Sequence, residues 1–220
     1  MIKVVFSAGL ILALSGCLDT FGQMRDAIMN PDPEVEMVIP AVNRAAIEQA
    51  DLAAVLMLSP GTGIAAVGIA IQMRDGRIIY NANDNRGVTL DGGLIYATLG
   101  FGTNLQAVTT QSNDPLVTEA KAGDWPAEVT RTYHVSQRGT VFAQFTAVCR
   151  NQVGRQLVID VVDANRRVVE VLETCATQEG DTFNNIHYLD AATGRVWRTN
   201  QWTGPVQGNM QVDVIDQFAP

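Results

Sequence analysis

The chain has 220 residues, with 15 Lys and Arg against 23 Asp and Glu and a formal net charge of -8. That length suffices for one sizeable core. The acidic balance excludes a nucleic-acid partner, which would need clustered Lys and Arg to neutralise phosphates. It also excludes electrostatic docking on anionic lipid, so membrane attachment must come from acyl chains.

Residues 1–16 read as an export signal. Lys3 gives a basic start, residues 4–14 an apolar run, and Ser15-Gly16 the small residues at a cut. The run is too short to cross a bilayer, which needs ~20 residues. The stretch Leu14-Ser15-Gly16-Cys17 resembles the lipobox of bacterial lipoproteins. That resemblance implies a diacylglyceryl group on the Cys17 sulfur, an N-acyl chain on its amine, and the membrane as partner. Residues 17–42 read as a tether, stiffened by Pro31, Pro33 and Pro40.

Residues 43–220 read as one extracytoplasmic domain. Asn43 can cap a short helix over 44–49, because its side-chain oxygen can accept from a free amide of the first turn. Short apolar runs then follow at 52–58, 64–73, 77–81, 87–90, 93–98, 128–136, 140–150, 155–162, 167–177, 182–188, 195–202 and 210–215. Turn residues punctuate them: Asp75-Gly76, Asp91-Gly92-Gly93, Gln137-Arg138-Gly139 and a longer loop from Asp190 to Gly194. This rhythm predicts an all-β fold, a twisted antiparallel sandwich or a partly open β-barrel, with one or two short helices. Residues 107–126 read as an irregular loop or a loop with a short helix. Apolar groups on both faces around 158–162 predict strands covered on both sides.

The chemistry-bearing residues are sparse. Ser59, Ser112 and Ser136 lie outside any nucleophile motif, and Gly100-Phe101-Gly102 lacks the third glycine of a dinucleotide loop. His134 and His187 read as surface or hydrogen-bonded strand residues, and neither has metal-ligand spacing from a cysteine, so no metal is expected. Asp75, Asp84, Asp91 and Asp190 read as turn formers. Cys149 and Cys175 lie 26 residues apart in a compartment that permits disulfides; a bridge or two buried free thiols are both open. Trp197, Arg198, Gln201 and Trp202, with Tyr188 and Trp125 as neighbours, have the ring faces and planar polar groups of a glycan or partner platform, or of a core with a satisfied indole.

The segment Asp190-Ala191-Ala192-Thr193-Gly194-Arg195-Val196-Trp197-Arg198-Thr199-Asn200-Gln201-Trp202 resembles the C-terminal signature of the YjbF/GfcB family, the group 4 capsule polysaccharide lipoproteins. Asn43-Arg44-Ala45-Ala46-Ile47, Arg74-Asp75-Gly76-Arg77, Gly87 to Ile95, Asn104-Leu105, Thr130 to Tyr133 and Phe183-Asn184-Asn185 agree in order, with Cys149 and Cys175 in place. The chain departs from the pattern at Leu99 and at His187-Tyr188. The resemblance implies a lipid-anchored lipoprotein of the outer membrane, on its periplasmic face. It would be a non-catalytic accessory of exopolysaccharide or capsule production or export, without cofactor or catalytic residues, and its partners would be the polysaccharide or export proteins. Two other roles make distinct demands: a lipid carrier needs a continuous apolar cavity, and a glycan hydrolase needs two acids facing each other in a cleft.

Overall fold

The computed structural model describes residues 37–137 and 141–216. The expected signal, Cys17, most of the tether and the turn residues 138–140 lie outside the described residues.

Among the described residues one α-helix, α1 (Arg44–Gln49), precedes twelve strands. These are β1 (Ala54–Ser59), β2 (Ile64–Arg74), β3 (Arg77–Asn81), β4 (Gly87–Asp91), β5 (Leu94–Leu99), β6 (Asn104–Thr110), β7 (Glu128–Gln137), β8 (Val141–Asp160), β9 (Asn165–Thr177), β10 (Thr182–Asp190), β11 (Val196–Trp202) and β12 (Asn209–Asp216). They form one antiparallel sheet in the order β5-β4-β3-β2-β1-β12-β11-β10-β9-β8-β7-β6, nearly closed into a barrel. The partly open barrel is therefore the realised form of the expected all-β fold. Every neighbour is a neighbour in sequence except β1 and β12, so the chain's two end strands zip together. The one seam falls midway along the chain, between β5 and β6.

Local chemistry accounts for the elements. The Asn43 side chain accepts the Ala46 amide at 3.0 Å and starts α1. Asp75 and Gly76 both take positive φ (52° and 80°), as a two-residue hairpin turn requires. A Cβ on Gly93 would lie 2.2 Å from Val196 Cγ2, so glycine is needed for the β4–β5 turn to nest against β11. Bulges in β2, β6 and β8 each break the ladder for a residue or two and tighten the curvature that closes the sheet.

Two expectations change. Residues 140–150 and 155–162 are not separate strands: β8 runs through both, and Val153 and Gln156 bracket a bulge, not a turn. The supposed loop beginning at 107 opens instead with most of β6.

The main core lies inside the barrel, with Val55, Met57, Tyr80, Val88, Leu105, Val135, Val171 and Val212 among its buried members. A second cluster lies outside it. Ala54, Leu56 and Leu58 point outward from β1 and are covered by Met37, Val42 and Ile47, so β1 is buried on both faces. Met37 and Val42, assigned above to the tether, are thus packed on the domain. Arg44 pins this cover: its guanidinium donates to the carbonyls of Val161, Val162 and Ile215 at 2.5–2.7 Å.

Candidate functional site

Alternation on β7, β9, β10 and β11 turns polar side chains into the barrel. Arg131 lies between Val129 and Tyr133, Glu173 between Val171 and Cys175, and His187 between Asn185 and Leu189; all are buried. Together they build a continuous chain of hydrogen bonds across the interior. At one end, Asp114, from the segment after β6, accepts Arg131 Nε at 2.7 Å and Nη2 at 3.0 Å. The same carboxylate also accepts the Leu116 amide and the Thr110 hydroxyl. Arg131 Nη1 donates to both Glu173 oxygens at 2.9 and 2.7 Å. Glu173 Oε2 also meets His187 Nε2 at 3.1 Å and accepts from Asn185 Nδ2 at 2.9 Å.

The chain continues through His187 Nδ1 to the Thr199 hydroxyl at 2.8 Å. Gln201 Nε2 donates to that hydroxyl oxygen at 2.8 Å and to the Gly93 carbonyl at 2.7 Å, and Gln201 Oε1 accepts the Ile95 amide. Gln201 therefore bonds to β5 backbone as a peptide group of an adjoining strand would. It ties β5, one edge of the seam, to β11. Thr98 Oγ1 accepts the Leu105 amide, and Asn104 Oδ1 accepts the Gly100 amide, directly between β5 and β6.

Burial alone would push the Glu173 carboxyl up, but the Arg131 guanidinium and then His187 more than reverse this and hold it well below the usual carboxylate range. Burial likewise disfavours charge on Arg131, yet Glu173 and Asp114 hold its pKa well above the ordinary arginine value. Burial raises the Tyr133 phenol to about 12. Two carboxylates thus share one guanidinium in the buried interior, an arrangement stable only while every member is paired.

Thr199, His187 and Glu173 have the connectivity of a hydroxyl, a base and an orienting acid. Thr199 is 2% exposed. Its oxygen is held between His187 and Gln201, and Trp125 lies over His187 with ring centroids 5.6 Å apart. A substrate would reach it only if the barrel opened. The four turn carboxylates do not face one another across a cleft. Asp190 caps its own loop, and Asp75, Asp84 and Asp91 pair with Arg74, Arg86 and Arg77.

Cys149 and Cys175 stand directly opposite each other on β8 and β9, Cα atoms 3.9 Å apart, and are joined as a disulfide. Together with Glu173 they form the described group with metal-ligand proximity. In the bridge, however, neither sulfur is a thiolate.

The residues 197–202 do not form one platform. The β10–β11 ladder skips Trp197, so it points outward beside Arg198. There its ring packs on the external Ile159, Val161 and Val168 cluster, with the Arg166 guanidinium 3.8 Å above it. Arg198 forks onto Asp213. Gln201 is buried in the interior chain. Trp202 lies beyond the last β10–β11 pair and stacks on Phe183 at 4.6 Å, edge-on to Tyr133 and Phe145. Its backbone amide, freed from the ladder, donates to Asn185 Oδ1. Both histidines are hydrogen-bonded strand residues, as expected: His134 lies at the surface, bonded to Thr109, and His187 is fully buried at the centre of the interior chain, bonded to Thr199 and Glu173.

Asp114, Arg131, Glu173 and Asn185 were not singled out as site residues from sequence. The available signal was a charge at an apolar position of the alternation: Arg131 in the series Val129, Tyr133, Val135, and Glu173 in the series Val171, Cys175.

The family model described as Group 4 capsule polysaccharide lipoprotein gfcB, YjbF matches residues 35–215. The crystal structure of the hypothetical lipoprotein YmcC from Escherichia coli K12 is similar in fold, with a TM-score of 0.71 and 17% identity, covering 95% of this chain and 100% of that one. No curated protein matches the chain by sequence.

Proposed function

The chain belongs to the group 4 capsule polysaccharide lipoprotein family, and we propose that it acts as a non-catalytic accessory in capsule or exopolysaccharide export. In this reading Cys17 carries the diacylglyceryl and N-acyl chains. The barrel is held at the periplasmic face of the outer membrane, and its outer surface meets the polysaccharide or export proteins. The observation that carries the reading is the interior chain from Asp114 to Gln201. The buried acids and the histidine that could do chemistry are engaged with one another and with backbone, none offered to a substrate. The same packed interior speaks against a carrier, which would need an empty apolar lumen.

The test is complementation of a strain lacking the gene. Wild-type protein restores surface polysaccharide. Cys17→Ser fractionates away from the membrane or keeps its signal, and restores little. The reading is overturned if Cys17→Ser is processed yet still membrane-bound, or if the purified protein generates new reducing ends from the polysaccharide.

A further inference from the structure

The long strand β8 outruns its neighbour β7. The β7 ladder ends with Glu128 opposite Arg150, whereas β9 stays paired along β8 as far as Asn165 opposite Asp160. The Asn151 amide still donates to the Ala127 carbonyl, at 3.0 Å. Beyond it, among the described residues, β8 has a neighbouring strand on one side only. Residues 152–156 and Val158 are exposed, so this edge faces water. Alternation decides which backbone groups it offers. Successive residues of an antiparallel strand direct their N–H and C=O to opposite neighbours. Asn151 directs its amide away from β9, so Val153 does the same. Val153 pairs with Val171 and Gln156 with Val169, so the same sense resumes after the bulge at Gln156 and Val158. Val153 and Val158, 49% and 58% exposed, also share one side of the sheet, because their β9 partners Val171 and Arg167 are four apart. Arg155 sits in the bulge and Arg167 opposite Val158; both are exposed, and among the described residues neither is in an ion pair. Glu170, across the bulge, faces Tyr188 on β10.

We infer that this edge of β8 is an interaction site, where an extended acidic segment of a protein partner adds as one more strand. The backbone selects polypeptide. Exposed N–H and C=O groups repeated at strand spacing are matched by another strand, and neither an acyl chain nor a row of sugar hydroxyls reproduces that ladder. The charges select acidity, because Arg155 and Arg167 are unpaired cations on a chain whose formal net charge is -8. They also select against a second copy. Antiparallel pairing of two copies about the middle of residues 152–158 brings one Arg155 beside the other, and like charges set across a ladder are destabilising. Bulges and charges guard strand edges against indiscriminate pairing. Here the guard is selective: Arg155 repels its own kind and attracts a carboxylate. Val153 and Val158 then pack against aliphatic side chains of the guest strand. The inference goes beyond the accessory role, because it fixes where a protein partner touches the barrel and in what conformation.

The test uses the full mature chain in nanodiscs and a fluorescent form of acetyl-Thr-Glu-Val-Thr-Val-Glu-Thr-amide. Anisotropy gives the affinity, and amide hydrogen exchange gives the place. The peptide binds saturably and slows exchange within residues 152–158. N-methylation of its three central amides, which removes the donors of a guest strand, weakens binding at least tenfold. Lysine in place of both glutamates weakens it similarly. Arg155→Glu, an exposed change that leaves the β9 ladder intact, reverses the preference, so that the lysine peptide now binds and the glutamate peptide does not. No binding at millimolar peptide, equal binding of the N-methylated form, or an unchanged preference in Arg155→Glu would each overturn the inference. So would protection of 152–158 that rises with protein concentration alone, which assigns the edge to a second copy. Displacement by polygalacturonate as effective as by unlabelled peptide, at equal carboxylate, would overturn it in favour of an acidic sugar. None of these results bears on the complementation by Cys17→Ser, so the two readings fail separately.

Discussion

The two walls of the barrel are built on the same alternation, but only one carries buried charge. From β1 to β5 the inward positions are mostly apolar, among them Val55, Met57, Ala66, Tyr80, Val88, Leu90 and Leu94, with Ser59 and Thr98 as buried hydroxyls, a wall held mainly by packing. From β7 to β11 apolar positions such as Val129, Val135, Val171 and Leu189 alternate with Arg131, Glu173, Asn185, His187, Thr199 and Gln201, a polar wall in which directed bonds are added to packing. An apolar interface tolerates many arrangements of similar volume. A buried polar network is favourable in one arrangement and costly in all others. The polar wall therefore has the means to fix the position of one edge of the seam, since its last member, Gln201, reaches back to bond Ile95 of β5 and Gly93 just before it.

The contrast makes graded predictions. Arg131→Leu leaves two buried carboxylates without their cation and should cost about 3–5 kcal/mol, read as a large fall in the urea midpoint at constant slope. A smaller loss would mean water reaches the network. Removing the bridge with Cys149→Ala and Cys175→Ala opens a 26-residue loop and should cost on the order of 3 kcal/mol by the chain-entropy account. Met57→Leu, on the opposite wall, conserves volume and should cost under about 1.5 kcal/mol. If it cost as much as Arg131→Leu, the two walls would not differ in kind. Arg150→Ala breaks an exposed pair with Glu128 and should change stability by about 0.5 kcal/mol or less.

Acid sharpens the same comparison. The folded Glu173 carboxyl titrates well below its unfolded counterpart, so its contribution is fully present above the unfolded value of about 4.3. That contribution is lost progressively as pH falls below it toward the folded value. Thermal scans between pH 6 and pH 2 should show a steep loss at the acid end, with a shallower profile in Glu173→Gln once its lower starting stability is subtracted. Parallel profiles would mean other carboxylates govern acid unfolding.

Much of the scaffold was legible in the sequence because local rules decided it. Asp75-Gly76 set a hairpin, Asn43 set a cap, and apolar runs between turns set the strand count to within two errors. Both errors are bulges. In β6 the inward residues Leu105 and Val108 are three apart, not two, because the ladder skips Gln106, and the alternation that would have marked a strand is erased. In β8, Gly154 and Arg155 resemble a turn but are the unpaired residues of a bulge. The aromatic segment misled for the same reason: skipping Trp197 puts it outside while Thr199 and Gln201 face in. The interior chain escaped notice because its members come from five separated stretches, and only strand order brings them together.

The pairing of β1 with β12 has a consequence for assembly. The hairpins of the meander can form from contacts close in sequence, but the join between β1 and β12 spans more than 140 residues. Contacts that distant are the slowest to form. A chain ending before Asn209 would leave two bare strand edges, on β1 and β11, each a template for association with another chain. The terminal strand thus acts as the keystone: until it arrives the ring stays sticky, and its arrival turns an aggregation hazard into a finished wall.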